Sequence, residues 1–303
     1  MTAVATTASG GLTSPSRWTP IKRFAGQYLR MPTGVAGLVI LLGFAVLALT
    51  APLYISNNNL DVTKVNGPLL APPSHQYWLG TDLPGRSVAL LTIWGSRVSL
   101  AIGIIATLLT MILGTTIGLL AGHFQGITSR LLMTLTDWFI TLPSLPLAIS
   151  LAAILGQGST SITVAIAVTS WPATARLVRA QTLAVEARPF VERARALGAG
   201  NSQIIVRQVL PNVMPLVLVS STLTIAGAIL SETTLSFLGL GNPDEVTWGT
   251  MIEQAFSTGA ITRGAWWYLL PPGIAIVIVV LGFTMTGRAV EHILNPRMVG
   301  ARS

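Results

Sequence analysis

The chain has 303 residues, 51% of them hydrophobic and only 9% charged, with a mean hydropathy of +0.68; that balance excludes a soluble globular domain and marks a multispanning membrane protein. The formal charge of +8 resides mostly in arginines beside apolar runs rather than on an aromatic-interleaved surface, so a membrane accounts for it and nucleic acid does not. With no cysteine, disulfides, thiolate nucleophiles and cysteine-held metals are excluded as well.

Residues 1–20 are rich in Ser, Thr, Ala and Gly without an apolar period and read as a disordered tail. Ile21, Phe24, Ala25 and Tyr28 then recur at helical spacing opposite Lys22, Arg23 and Arg30, the pattern of a helix lying on a leaflet, so 1–33 is a tail with an interfacial helix. A first span is expected over 34–53, uncleaved, because both the polar lead and the apolar run exceed a signal peptide's. Residues 54–97 read as a polar loop in which Asp82 and Arg86 have the spacing of a local ion pair or turn anchor. The second span, 98–121, carries Gly114 and Gly118, with Gly122 just past its end, leaving one side bare for a neighbouring helix. A third span over 131–155 holds Asp137, a charge at membrane depth, and should kink at Pro143 and Pro146. Asp137 stands about two helical turns from the loop, where an anchor against an arginine competes with a transport role. A fourth span opens near Ile162 and ends near Arg176.

Residues 186–212 then form a basic, two-helix loop between long apolar runs. Pro189 suits a first helical turn, Gly198 and Gly200 can end the helix, and Asn201 or Ser202 can cap a second one that runs up to Pro211. In the first helix Phe190, Ala194 and Leu197 share a face with Val191 on its shoulder, while Arg188, Glu192 and Arg195 lie opposite: an amphipathic knob shaped for another protein's groove. A fifth span covers 214–230. The segment 231–265 is too short in its apolar middle to cross and is expected to dip into the outer side of the bundle. The sixth span, 266–285, opens on Trp266, Trp267 and Tyr268 as an interfacial belt.

Three stretches resemble the membrane subunits of ABC importers, in particular dipeptide and oligopeptide permeases of the DppC/OppC type. Glu192, Ala194, Gly198, Leu210 and Pro211 fall at the spacing of that family's cytoplasmic EAA loop, with Arg193 and Gln208 departing from it. Leu79–Asp82, Gly85, Arg86, Gly95, Arg97, Ser99 and Leu100 match a second signature, Ser87 replacing its Asp. Glu232, Leu235–Gly241, Trp248 and Gly249 match a third, and Asn295-Pro296-Arg297 stands close to the family's Asp-Pro-Arg. The resemblance implies an all-α polytopic fold of six transmembrane helices, with a coupling-helix loop between spans 4 and 5 and a core permease region over 98–303. It implies docking of an ATPase on Phe190, Val191, Glu192, Ala194, Leu197, Gly198, Leu210 and Pro211. Asp82, Arg86, Glu232, Phe237 and Trp248 become candidates for an outer gate or a binding-protein contact. The implied partners are a second homologous permease, two ABC ATPase subunits carrying ATP and Mg, and an extracytoplasmic substrate-binding protein, in a bacterial inner membrane.

With the N-terminus inside, Lys and Arg divide 14 to 4 in favour of both termini and the 186–212 loop being cytoplasmic. The chain lacks a phosphate-binding Gly-x-x-x-x-Gly-Lys-Ser/Thr loop, so any ATP belongs to a partner, and it lacks Gly-x-Ser-x-Gly, so a membrane hydrolase has no nucleophile. His75, His123 and His292 are dispersed, without metal-ligand spacing, and read as solvated or interfacial residues. The competing function is a self-sufficient secondary transporter or channel, which needs carboxylates near mid-membrane or inverted repeats; Asp137 is the one candidate carboxylate and no repeat is evident.

Overall fold

The computed structural model describes residues 19–294, which form helices and loops with no strand. The first helix, α1 (Thr19–Leu29), covers the expected interfacial segment; the tail before it and Asn295-Pro296-Arg297 lie outside the described residues. Pro32 opens α2 (Pro32–Tyr54) at a position where its missing N–H is no loss, and the Tyr28 hydroxyl donates to the Gly34 carbonyl at 2.9 Å across the turn.

The next helix, α3 (Val88–His123), starts ten residues earlier than the apolar run implies, so the outer loop ends at Ser87. Arg97 had marked the boundary, but its guanidinium lies 5.5 Å from the Trp94 ring centroid, and the stacked pair lets the helix run through. A larger correction concerns the third span. It is two helices, α4 (Ile127–Thr141) and α5 (Ser144–Leu155), bent by 93°. Pro143 bars the α region to Leu142, whose ψ is 131°, and the chain turns there instead of kinking. At about 22 and 18 Å neither half crosses a bilayer alone. Since only three residues separate α4 from the end of α3, and Gly158 just beyond α5 donates to the Leu240 carbonyl at the opposite end, the two halves traverse the bundle once.

From Gly158 the chain enters α6 (Ser159–Glu186), ten residues longer at its end than the apolar pattern. Then come the short α7 (Pro189–Ala196) and a continuous helix built from α8 (Asn201–Ile204), a π-helical segment Ile205–Val209 and α9 (Leu210–Phe237). The expected stop at Pro211 does not occur. The Leu210 N–H bonds to the Ile205 carbonyl five residues back, and this wider turn just before Pro211 accommodates a residue that cannot donate to the usual acceptor. Finally α10 (Trp248–Ser257) lies against α3, α9 and α11 (Trp266–Leu294). The segment 231–265 is thus the end of α9, a loop and α10. Among the described residues five helices are long and apolar enough to cross a membrane, and the α4–α5 pair, taken as one broken span, makes a sixth.

Packing of α3 on α6 sets the frame of the bundle. A Cβ on Gly114 would stand 2.6 Å from Thr174 Cβ, one on Gly118 2.6 Å from the Ala175 carbonyl, and one on Gly122 2.6 Å from Thr182 Cβ. All three glycines are therefore spaces that α6 fills, as close helix approach in a membrane requires. Gly118→Leu is expected to cost about 3 kcal/mol, the upper end for overpacking, because backbone on the facing helix cannot yield as a side chain can. A fall in the amount of folded subunit and in the melting temperature of the purified protein checks this; an unchanged melting temperature would remove the glycine face from the packing account.

Candidate functional site

At the end of the bundle where α3 and α6 stop, α7 stands apart from the spans. Pro189 begins it, and Gly198 ends it at φ +84°, a left-handed conformation that allows the Gly198 and Ala199 amides to turn back onto the Arg195 and Ala194 carbonyls. Nothing lies within 4 Å of a Cβ placed on Gly198, so its need is conformational rather than steric.

The apolar knob is only partly free. Val191 is fully buried, in one cluster with Val185, Ile204, Val209 and Val213, and Phe190 packs half-buried against the same cluster. Val191 roots α7 in its own chain instead of offering itself outward, which corrects its expected place on a docking face, while Phe190 keeps part of its surface open. Ala194 is half-buried. Leu197, by contrast, is 88% exposed, the most solvent-accessible large apolar side chain among the described residues. Glu192 is exposed in the first turn of α7, where its charge suits the helix dipole, and Arg193 is exposed too. Leu210 and Pro211 lie at the start of α9, below this knob, with Leu210 half-buried in its base.

A polar clamp that the sequence did not disclose fixes α7 to the spans. Glu186, the last residue of α6, meets His123 Nδ1 of α3 at 2.5 Å through Oε1 and accepts from Arg195 Nη2 of α7 at 2.8 Å through Oε2. The His123 side chain is 3% exposed and that of Glu186 12%, so this histidine is neither solvated nor interfacial as expected. Arg195, assigned to an idle face by periodicity, is half of the link. The sequence signal was weak: a carboxylate at the end of α6 and a histidine 63 residues away.

The opposite end is braced by the other motif residues. Arg86 donates its backbone N–H to Asp82 Oδ1 at 2.6 Å and its Nε to Oδ2 at 2.7 Å, then reaches the Leu60 carbonyl and Gln254 Oε1, each at 3.2 Å. Burial pushes the Asp82 carboxyl above its ordinary range while the Arg86 guanidinium pulls against it. Glu232 on α9 accepts from Ser99 Oγ of α3 at 3.2 Å and from Ser236 Oγ at 2.9 Å, and it pairs with no Lys or Arg among the described residues. Ser99 Oγ also accepts the Trp248 N–H at 3.1 Å, and the Trp248 indole donates to the Thr92 carbonyl at 2.9 Å. Half-buried Phe237 stacks edge-on against Phe256. Asp82, Arg86, Glu232 and Trp248 are all buried, so as placed they tie α3, α9 and α10 together and do not present themselves to an outer partner. Asp82→Ala would leave the Arg86 guanidinium buried without its carboxylate, at about 3–5 kcal/mol. Thermal unfolding of the purified subunit should register that loss; an unchanged midpoint would mean water reaches Arg86.

Asp137 pairs with Arg176 Nη2 at 2.7 Å, both side chains half-exposed, and so links α4 to α6 near that helix's middle. Within the spans the fully buried carboxylate among the described residues is Glu232, not Asp137. Between α3 and α9 runs an apolar groove of about 500 Å³ lined by Thr107, Met111, Thr115, Met214, Val217 and Ser221 among others. The hydroxyls of Thr107 and Thr115 are buried without a partner among the described residues, whereas Ser221 is bonded to the Leu218 carbonyl of its own helix. Thr110 is buried, and Ser220 and Thr224 bond to carbonyls of their own helix. Among the described residues no group of His, Cys, Asp and Glu is arranged to hold a metal.

Residues 114–300 match the family described as binding-protein-dependent transport system inner membrane component. The chain is 36% identical to the glutathione transport system permease protein GsiD of Pectobacterium atrosepticum, over 92% of each chain. It is 34% identical to the dipeptide transport system permease protein DppC of Alkalihalophilus pseudofirmus, over 90% of this chain and 88% of that one.

Proposed function

The chain belongs to the binding-protein-dependent transport system inner membrane component family, and from that membership we propose that it is the permease subunit of a peptide importer driven by ATP on partner subunits. The observation that carries the coupling role is α7: a helix rooted by Val191, clamped by Glu186, and offering an exposed Leu197 beyond the bundle. An ATPase seated there moves α7, and the clamp passes the motion to the ends of α3 and α6. The helices then alternate between outward-open and inward-open packings, a rigid-body change between discrete states.

In this reading α7 and both termini are cytoplasmic, in accord with the excess of Lys and Arg in the segments assigned there. The groove between α3 and α9 faces a second permease of related fold, and its lining is apolar because the hydroxyls of Thr107 and Thr115 are turned away from it into the protein. ATP and Mg reside on two ATPase subunits, and an extracytoplasmic binding protein delivers the peptide to the end braced by Asp82 and Glu232. Asp137 has no place in coupling, being tied to Arg176 at the surface.

Proteoliposomes holding the chain with its partner permease, ATPases and binding protein should take up peptide only with ATP inside the ATPase compartment. Uptake by the chain alone, driven by an ion gradient, would overturn the proposal in favour of a self-sufficient transporter, with Glu232 the carboxylate to examine.

A further inference from the structure

At the α7 end, α3, α4 and α6 enclose a second cleft, of about 450 Å³, whose lining includes Gln125, Ser129, Arg130, Arg179 and Leu183. No carboxylate lines it, and neither arginine forms an ion pair among the described residues. The contrast with nearby arginines is local and specific: Arg176 is held by Asp137 and Arg195 by Glu186. Arg179 is half-buried; its Nη2 touches Ser129 Oγ at 3.5 Å, and its Nε is shielded from solvent with no acceptor among the described residues. Ser129 spends its own proton on the Ala121 carbonyl at 2.7 Å, so it adds no competing charge. Gly126, at φ +75°, turns the chain so that α4 begins beside the cleft, and the amides of Ile127, Thr128 and Ser129 precede the first internal bond of α4, from Arg130 N–H to the Gly126 carbonyl.

Two guanidiniums, a buried donor without an acceptor and a helix start make a place for an anion with several oxygens. What surrounds the cleft decides which one. Ile127 and Leu131, one helical turn apart on α4, are 74% and 65% exposed, and Leu183 on α6 is 41% exposed. A free anion has no use for these apolar side chains, whereas an acyl chain does. We propose that the cleft between α3, α4 and α6 binds an anionic phospholipid, its phosphate held by Arg130 and Arg179 and its chains lying along Ile127, Leu131 and Leu183. Basic pockets between spans on the cytoplasmic side suit such headgroups. The inner-leaflet placement rests on the orientation proposed above. The site adjoins the clamp, for Gly122 packs against the Arg179 carbonyl and is followed by His123.

The test measures phosphatidylglycerol bound to the full chain, alone and in the assembled importer, each in phosphatidylcholine nanodiscs. An Arg130→Gln/Arg179→Gln protein should bind the lipid about thirtyfold more weakly, the factor expected for two arginines near a membrane surface. Arg130→Lys/Arg179→Lys, which keeps the charge, should retain most of the affinity, and Arg263→Gln at the other end should lose none. Melting temperature is read on every variant, and a charge-neutral pair that binds normally while folded overturns the proposal. Displacement of the lipid by millimolar inorganic phosphate would also overturn it, as a soluble-anion site. Lipid bound to a chain that recruits no ATPase would uphold the lipid site and count only against the importer assignment, since this measurement needs no partner.

Discussion

A complex carrying Leu197→Asp is expected to lose its ATPase subunits on purification, while the permease itself stays folded in the membrane. Leu197 follows the last turn of α7 with 88% of its surface exposed, and its side chain makes no part of the chain's own core clusters. A large apolar group held out on a clamped helix is the kind of residue that anchors an interface. Placing a carboxylate there puts a charge into the partner's apolar pocket, a change of at least about 2 kcal/mol, or roughly thirtyfold in affinity. Leu197→Met keeps the apolar contact and should keep the partners. Because Val191 is buried beneath α7, the corresponding Val191→Asp protein would fail for a different reason, by unfolding the root of the helix. Copurification of the ATPases with each variant gives the answer, and equal recovery with Leu197→Asp and wild type would mean that α7 is not where they dock.

The parts of this arrangement that were legible in the sequence are those fixed by local chemistry. Pro189 and Gly198 bound α7 because one residue prefers a first turn and the other tolerates a left-handed exit, and the four-residue spacing of Gly114, Gly118 and Gly122 marks one face whatever packs on it. What the sequence left hidden depends on partners far along the chain. The Asp82–Arg86 pair is local, but its burial comes from Leu60 and Gln254; Glu232 is read as a surface candidate until Ser99, 133 residues away, is seen beside it. Helix ends failed for a related reason. Hydropathy stops at Arg97 and Pro211, yet a Trp94 ring and a π turn carry the helices through both. Conversely, a proline pattern that promised a kink produced a right-angled break, because Leu142 before Pro143 went fully extended.

Replacing Glu186 should separate docking from transport. Its two oxygens serve different helices, one meeting His123 at the end of α3 and the other Arg195 on α7, so a single carboxylate joins α7 to the spans. Glu186→Ala removes both bonds and leaves His123 buried without its partner. Hydrogen bonds to a charged group contribute about 1.5–3 kcal/mol each, the Arg195 bond standing at the lower end because that side chain is half-exposed. Since Leu197 and the buried Val191 are untouched, the ATPases should still copurify and hydrolyse ATP. Peptide uptake per ATP should nevertheless fall about tenfold or more, the loss that follows when one such bond no longer transmits the motion. Arg195→Ala, which spares the His123 bond, should produce a smaller fall, and Glu186→Gln should lie between, because an amide can accept from one neighbour but presents a donor to the other. Normal uptake per ATP in an intact Glu186→Ala complex would place the transmission in the packing of Val191 against Val185 and Val209, and the clamp would then be only a fastening for α7.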